Sequence, residues 1–220
     1  MALDLLIFGP PGAGKGTQAT AIASRAGVPH IATGDMFRAH IKAGTPLGLE
    51  AKNYSSRGEL VPDDVTIQML GERLAEPDTA SGFLLDGFPR TLPQAEALDR
   101  LLAERGRSIT ALISLNVPDD EIVRRITGRL VGQSSGRIYH ITDAPPKVSG
   151  IDDVDGTPLS RRPDDAEDVV RERLRVFHDE TLPVLERERE KGVRVIEIDG
   201  AKHADKVADE LATIIDELPR

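Results

Sequence analysis

Short unbroken apolar runs recur along the chain, and amphipathic stretches separate them. "LLIF" (5–8), "FLLD" (83–86), "ALISLNV" (111–117) and "VRVIEID" (193–199) read as strands buried on both faces, with "HI" at 30–31 as a further short strand. Between them, apolar positions recur at helical spacing over Thr17–Ala26, Asp63–Ala75, Pro93–Arg105, Asp119–Thr127 and Ala204–Glu217. Several of these stretches open on Pro or Asp, which suits a first helical turn. Strand and helix in alternation predict an α/β fold: a mainly parallel sheet with helices on both faces.

Two regions break the alternation. Residues 32–61 read as two short helices around "AGTPLG". Residues 128–165 are rich in Gly, Pro, Ser and Asp, and carry the strand-like pair "RLV" and "RIYHI" around an "SSG" turn. Segments of this length without a helix of their own usually serve as lids or binding elements. The pattern therefore divides the chain into a core (1–31, 62–127 and 166–220) and two insertions. Helical spacing resumes over Ala166–Thr181, where Val170, Leu174 and Phe177 share a face, and Pro183 is expected to end or kink that helix.

Composition narrows the function. The chain has 220 residues, 39% hydrophobic and 30% charged, as in a globular protein. A net charge of −9 and only 3% aromatic residues argue against nucleic acid as a partner. The sequence contains no Cys, so disulfides and thiolate metal sites are excluded. No window approaches a membrane span, and the expectation is a cytoplasmic protein.

Candidate chemistry begins at "GPPGAGKGT" (9–17), directly after the first strand and before a helix. Gly9 to Lys15 fits G-x-x-x-x-G-K in its strand–loop–helix setting, where backbone amides and a lysine cradle phosphate. Gly16 stands where many such loops place Ser or Thr, leaving Thr17 or substrate phosphates and water to serve magnesium. "FLLDGFPRT" (83–91) follows another strand. It puts Asp86 at a carboxyl end, where open parallel sheets bind ligands and an acidic residue can orient magnesium-bound water.

Taken together, "GPPGAGKGTQA", "TGDMFR" (33–38), "DGFPRTLPQAEAL" (86–98), "GRIYH" (136–140), "PPK" (145–147) and "RPDD" before "VRERL" resemble the adenylate kinase family over essentially the whole chain. The resemblance implies a P-loop NTPase-type core with a five-stranded parallel sheet, a helical AMP-binding insertion at 32–61 and a lid with short β-strands at 128–165. It implies transfer of the γ-phosphoryl of ATP to AMP with Mg²⁺, giving two ADP, by a monomer. By position, Thr33, Arg38, Arg90 and Gln94 would hold AMP, with Glu59, Leu60, Val61, Gly87 and Phe88 completing that pocket. Gly12, Ala13, Gly14, Lys15, Gly16, Thr17, Arg129, Ile138, Tyr139 and Lys202 would lie along ATP. Lys15, Arg90, Arg125, Arg162 and Arg173 would surround the transferred phosphoryl, with Arg162 and Arg173 also reaching AMP; alignment to "RPDD" favours Arg162 and leaves the adjacent Arg161 as the alternative. Asp86 would meet Mg²⁺ through water.

Many relatives pin the lid with four zinc ligands of cysteine type, and others with a polar network. At those positions this chain has Gly132, Ser135, Asp152 and Asp155. No structural zinc is expected, and without a side chain at 132 even the polar network looks incomplete. The alternatives are a kinase for UMP, CMP or GMP, and a nucleotide-gated P-loop switch. Thr33 bears on the first, since a hydroxyl can read adenine's edge.

Overall fold

The computed structural model describes residues 2–218, so the ends of the expected core segments (1, 219 and 220) lie outside the described residues. The central sheet is formed by β1 (Leu3–Phe8), β2 (His30–Ala32), β3 (Gly82–Asp86), β4 (Ala111–Asn116) and β8 (Arg194–Asp199). Its order is β2-β3-β1-β4-β8, with every pairing parallel. Alternation along β1 explains the unbroken apolar run. Leu3, Leu5 and Ile7 join one core cluster with Ile22, Ile122, Leu211 and Ile215, while Leu6 and Phe8 join the other with Leu70, Phe83, Leu98 and Val184. Full burial of each such side chain is worth roughly 1.5–3 kcal/mol.

Helices α1 (Lys15–Ala26), α4 (Asp63–Leu74), α5 (Leu92–Ala103), α6 (Asp119–Thr127), α7 (Glu167–Val176), α8 (Leu182–Glu190) and α9 (Ala204–Asp216) flank this sheet. Between 32 and 61 lie α2 (Thr33–Ala43) and α3 (Pro46–Ser55), packed on each other. Thr45 caps α3 by accepting from the Gly48 amide at 3.1 Å. Between 128 and 165, β5 (Arg129–Gly132), β6 (Ile138–His140) and β7 (Leu159–Ser160) make a separate antiparallel sheet, ordered β6-β5-β7.

Three details differ from the sequence reading. β8 is an edge strand with Arg194, Glu197 and Asp199 exposed, because it has a neighbour on one side only. The expected helix over 166–181 stops at Val176 and passes through a π-helical turn, Phe177–Thr181. Pro183 does not end that helix; it occupies the first turn of α8, where a missing N–H costs nothing.

Candidate functional site

The carboxyl ends of β1 and β3 open onto one cleft of about 350 Å³. On one side, the loop between β1 and α1 turns through Gly9, Gly12 and Gly14, with φ of 143°, 80° and 92°. Gly14 is the N-cap of α1 and supplies no side-chain cap, so the helix's first amides are left for an anion. Lys15 opens that helix, and its ammonium folds back to donate to the carbonyls of Gly9 (2.7 Å) and Pro10 (2.8 Å). Burial pushes its pKa down to about 8; Asp86 opposes the shift, while Arg90, Arg173 and Arg129 add to it. A lysine so perturbed, inside a cleft, marks a functional site.

Asp86 ends β3. Burial raises its pKa, but the His30 ring, Lys15 and Arg90 outweigh burial and hold the carboxyl below its ordinary value. His30 Nε2 lies 3.6 Å from that carboxylate, beyond hydrogen-bond length, and has no hydrogen-bond partner among the described residues. Gly87 follows at φ 80°. A side chain there would come within 2.9 Å of Thr33 Oγ1 and 2.8 Å of the Arg90 guanidinium, so the position requires glycine. The Gly87 carbonyl accepts from Thr33 Oγ1 and from Arg90 Nε, each at 2.8 Å. The Phe88–Pro89 peptide is cis. Gln94, buried one turn into α5, accepts from the Arg90 amide at 2.8 Å and donates to Asp63 at 2.7 Å.

Lys15 shares the cleft walls with Arg38, Arg90, Arg162 and Arg173. Burial pushes Arg90 down to about 10, with Arg173 contributing, and Arg162 down to about 10, with Arg129 contributing. Arg173 is lowered by burial as well, and it donates to the Asp164 carboxylate at 2.8 Å. Arg129 grips the buried Asp165 in a two-pronged ion pair, and its charge reaches Lys15, Arg162 and Arg173. So many cations together repel one another unless an anion of high charge density lies among them.

Other expected residues lie elsewhere. Arg125 turns away from this group, donating to Glu121 (2.7 Å) and to the Gly200 carbonyl (2.8 Å). Lys202 is exposed in that neighbouring turn, paired with Glu210 at 2.9 Å. Gly12 and Ala13 lie in the loop before α1, while Gly16 and Thr17 are exposed in its first turn. Glu59, Leu60 and Val61 line the cleft, but the Glu59 carboxylate is held by Arg57 at 2.6 Å. Phe88 is buried against the sheet and also borders the cleft. Ile138 is exposed, whereas the Tyr139 ring is buried with its hydroxyl on Asp152 at 2.8 Å.

The structure also supplies groups that sequence reading missed. Val176 at the end of α7, and Phe177 and Thr181 in the π-helical turn after it, line the cleft, and no residue pattern announces such a turn. Asp63, which the residue pattern marks only as a helix start, also holds the Gln94 side chain.

The network around 152 is complete, which corrects the expectation of a gap at residue 132. Asp152 is buried and accepts from Ser135, from the Tyr139 hydroxyl and from the Val154 amide (2.9 Å). A side chain at Gly132 would fall 1.8 Å from the Asp152 carboxylate, so the bare position makes room for that staple. Asp155 turns outward to Thr157 at 2.6 Å. Among the described residues no group of three or more His, Cys, Asp or Glu could hold a metal ion, and no helix is long and apolar enough to cross a membrane.

Comparison with known proteins agrees with this geometry. The family model described as "Adenylate kinase" matches residues 7–193. The adenylate kinase of Staphylococcus epidermidis is 48% identical over 216 residues, covering 98% of this chain and 100% of that protein. That of Carboxydothermus hydrogenoformans is 50% identical over 205 residues, covering 93% of this chain and 95% of its own. That of Staphylococcus aureus is 48% identical over 216 residues, covering 98% and 100%.

Proposed function

The chain belongs to the adenylate kinase family, and we propose that it transfers the terminal phosphoryl group of ATP to AMP, reversibly, giving two ADP. The observation that carries this reading is the single cleft in which a glycine-loop lysine faces the guanidinium groups of Arg38, Arg90, Arg162 and Arg173. The transferring phosphoryl is loose and strongly anionic, so alignment and charge neutralisation supply the catalysis. An AMP phosphate oxygen forms the new P–O bond while the bond to the β-phosphate oxygen of ATP breaks, leaving ADP on both sides. Phosphate monoesters are largely dianionic at neutral pH, so the attacking oxygen needs no general base.

Placement in the cleft supports the following roles. The amides of Gly12–Thr17 and Lys15 hold the ATP phosphates; Arg38 and Arg90 hold the AMP phosphate; Arg129, Arg162 and Arg173 surround the moving group. Arg125 and Lys202, close together at the β8–α9 turn, border the ATP nucleoside instead. Residues 32–61 then act as the AMP-binding insertion and 128–165 as a lid that excludes water. Mg²⁺ suits the Asp86 carboxylate at the end of β3, since the ion keeps several waters and needs few protein ligands. Asp86 would hold it through water, and the ion would neutralise charge on the ATP phosphates. One chain supplies every group of the cleft, which supports a monomer, and the reaction belongs where adenine nucleotides are kept, the cytoplasm.

Base choice rests on hydrogen-bond polarity. Thr33 spends its one O–H on the Gly87 carbonyl, so toward a ligand its oxygen can only accept. Gln94 has its carbonyl on the Arg90 amide and keeps one N–H uncommitted among the described residues. An acceptor beside a donor complements adenine, whose N6 amine donates and whose ring nitrogen accepts. Guanine and hypoxanthine present the reverse. A coupled assay offering AMP, GMP, UMP and CMP with ATP tests the reading: AMP should exceed the others in kcat/KM by at least about a hundred-fold. Equal use of another monophosphate would overturn it.

A further inference from the structure

We infer that Asp63 is a positioning residue that sets base selectivity, by locking the amide of Gln94 in one orientation. This rests on the reading that Thr33 and Gln94 face the acceptor's base. An amide presents either a donor or an acceptor to a ligand, depending on how it is turned. Its orientation here is dictated from both ends. The Arg90 N–H can only donate, so it claims the Gln94 carbonyl oxygen at 2.8 Å. The Asp63 carboxylate, when ionised, can only accept, and it claims the Gln94 NH₂ at 2.7 Å. Turning the amide over would set N–H against N–H at one end and oxygen against carboxylate at the other.

The second oxygen of Asp63 accepts from the Thr91 hydroxyl at 2.9 Å, and Thr91 caps α5 by accepting from the Gln94 amide at 3.3 Å. Backbone and side chain of Gln94 are thereby tied to the same pair of residues. Asp63 is also the first residue of α4, two residues past the end of the 32–61 insertion. It therefore anchors the insertion's far end to the loop that carries Arg90, as Thr33 anchors its near end through Gly87. Without the carboxylate only the Arg90 amide resists a flip, and a flipped Gln94 offers its oxygen to hypoxanthine's N1–H.

Inosine 5′-monophosphate is the probe, because it reverses the donor and acceptor of adenine without adding a group. Wild type, Asp63→Ala, Gln94→Ala and the double variant would be assayed with AMP, inosine 5′-monophosphate and ATP as varied substrates. Asp63→Asn keeps the shape and serves should Asp63→Ala fold poorly. For Asp63→Ala we expect KM for AMP to rise about ten-fold and the AMP-to-inosine ratio of kcat/KM to fall about ten-fold, the worth of one charged hydrogen bond. KM for ATP should stay within two-fold. Asp63→Asn should lower the ratio less, and Asp63→Ala should cost nothing further once Gln94 is Ala. A selective wild type whose ratio survives both Asp63 substitutions overturns the inference alone, as does an equal loss in the Gln94→Ala background. A wild type that uses both monophosphates equally overturns the reading of the base and this inference with it.

Discussion

On the acceptor flank, Thr33, Gly87, Arg90, Gln94, Thr91 and Asp63 form one continuous hydrogen-bond chain tied to the end of β3. The segment 128–165 is bonded mainly to itself. Its sheet pairs no strand of the central sheet, and its buried polar centre, Asp152, takes all three partners from within the segment. Its side-chain ties to the core include Arg124–Asp143 and Arg173–Asp164, each at 2.8 Å, and the His140 ring against the Arg124 carbonyl at 3.3 Å, while Arg129–Asp165 joins the segment's own two ends. Ile138, Ile141, Val148 and Val154 stay exposed on it. The difference teaches how one cleft combines selectivity with access. Discriminating a base needs donors and acceptors fixed before binding, and a rigid sheet edge fixes them. Covering a phosphoryl group needs a body that changes its angle to the core without unfolding, and a self-contained sheet is such a body.

Lys15 belongs to neither flank, and its removal should erase the contrast altogether. Lys15→Met is expected to lower kcat by at least about a thousand-fold, with an unchanged circular-dichroism melt, because the ammonium's hydrogen bonds among the described residues go to carbonyls of its own loop. Near-normal turnover would remove the phosphate cradle from the mechanism. Arg90→Ala attacks the acceptor flank alone. KM for AMP should rise about a hundred-fold while KM for ATP moves less than three-fold, as measured by varying each substrate in turn. Equal changes would mean that the flanks are assigned the wrong way round.

Acidity sharpens the comparison next. In the free protein Lys15 is protonated below about pH 8 and loses its charge above it. Its kcat/KM for ATP should therefore fall as pH rises through 8, by about ten-fold at one unit beyond the pKa. Bound phosphates favour the ammonium and raise its pKa, so kcat should begin to fall only at higher pH. The smallest effect is expected at Gly132. Gly132→Ala pushes a methyl group into Asp152, costing about 1–3 kcal/mol within that segment. Hydrogen exchange should quicken across 128–165 and KM for ATP rise two- to five-fold, while KM for AMP stays put. A matching rise for AMP would show that the two flanks are coupled more tightly than their bonding suggests.

Much of this was legible without coordinates. The apolar runs at 5–8, 83–86 and 111–117 become strands of a parallel sheet because a strand covered on both faces tolerates no polar alternation. The glycines before Lys15 and the Asp86–Arg90 stretch announced themselves because few other roles explain such residues at strand ends. Less legible were groups whose partners lie far along the chain. Arg125 and Arg129 are four apart, and the family resemblance sets the first at the transferred phosphoryl and the second along ATP; packing ties one to the β8–α9 turn and the other to Asp165. The bare position at 132 looked like a gap until Asp152 filled it.

By itself, then, the sequence determined the alternation of strand and helix, the glycine-rich loop before Lys15 and the stock of cations. These are local properties of periodicity and of residue type. Tertiary structure alone decided which way each polar group faces: Thr33 donating to the Gly87 carbonyl, Gln94 clamped between Arg90 and Asp63, Tyr139 turned inward. A side chain's free donor or acceptor is whatever its neighbours leave unused, and those neighbours meet only once the chain has folded.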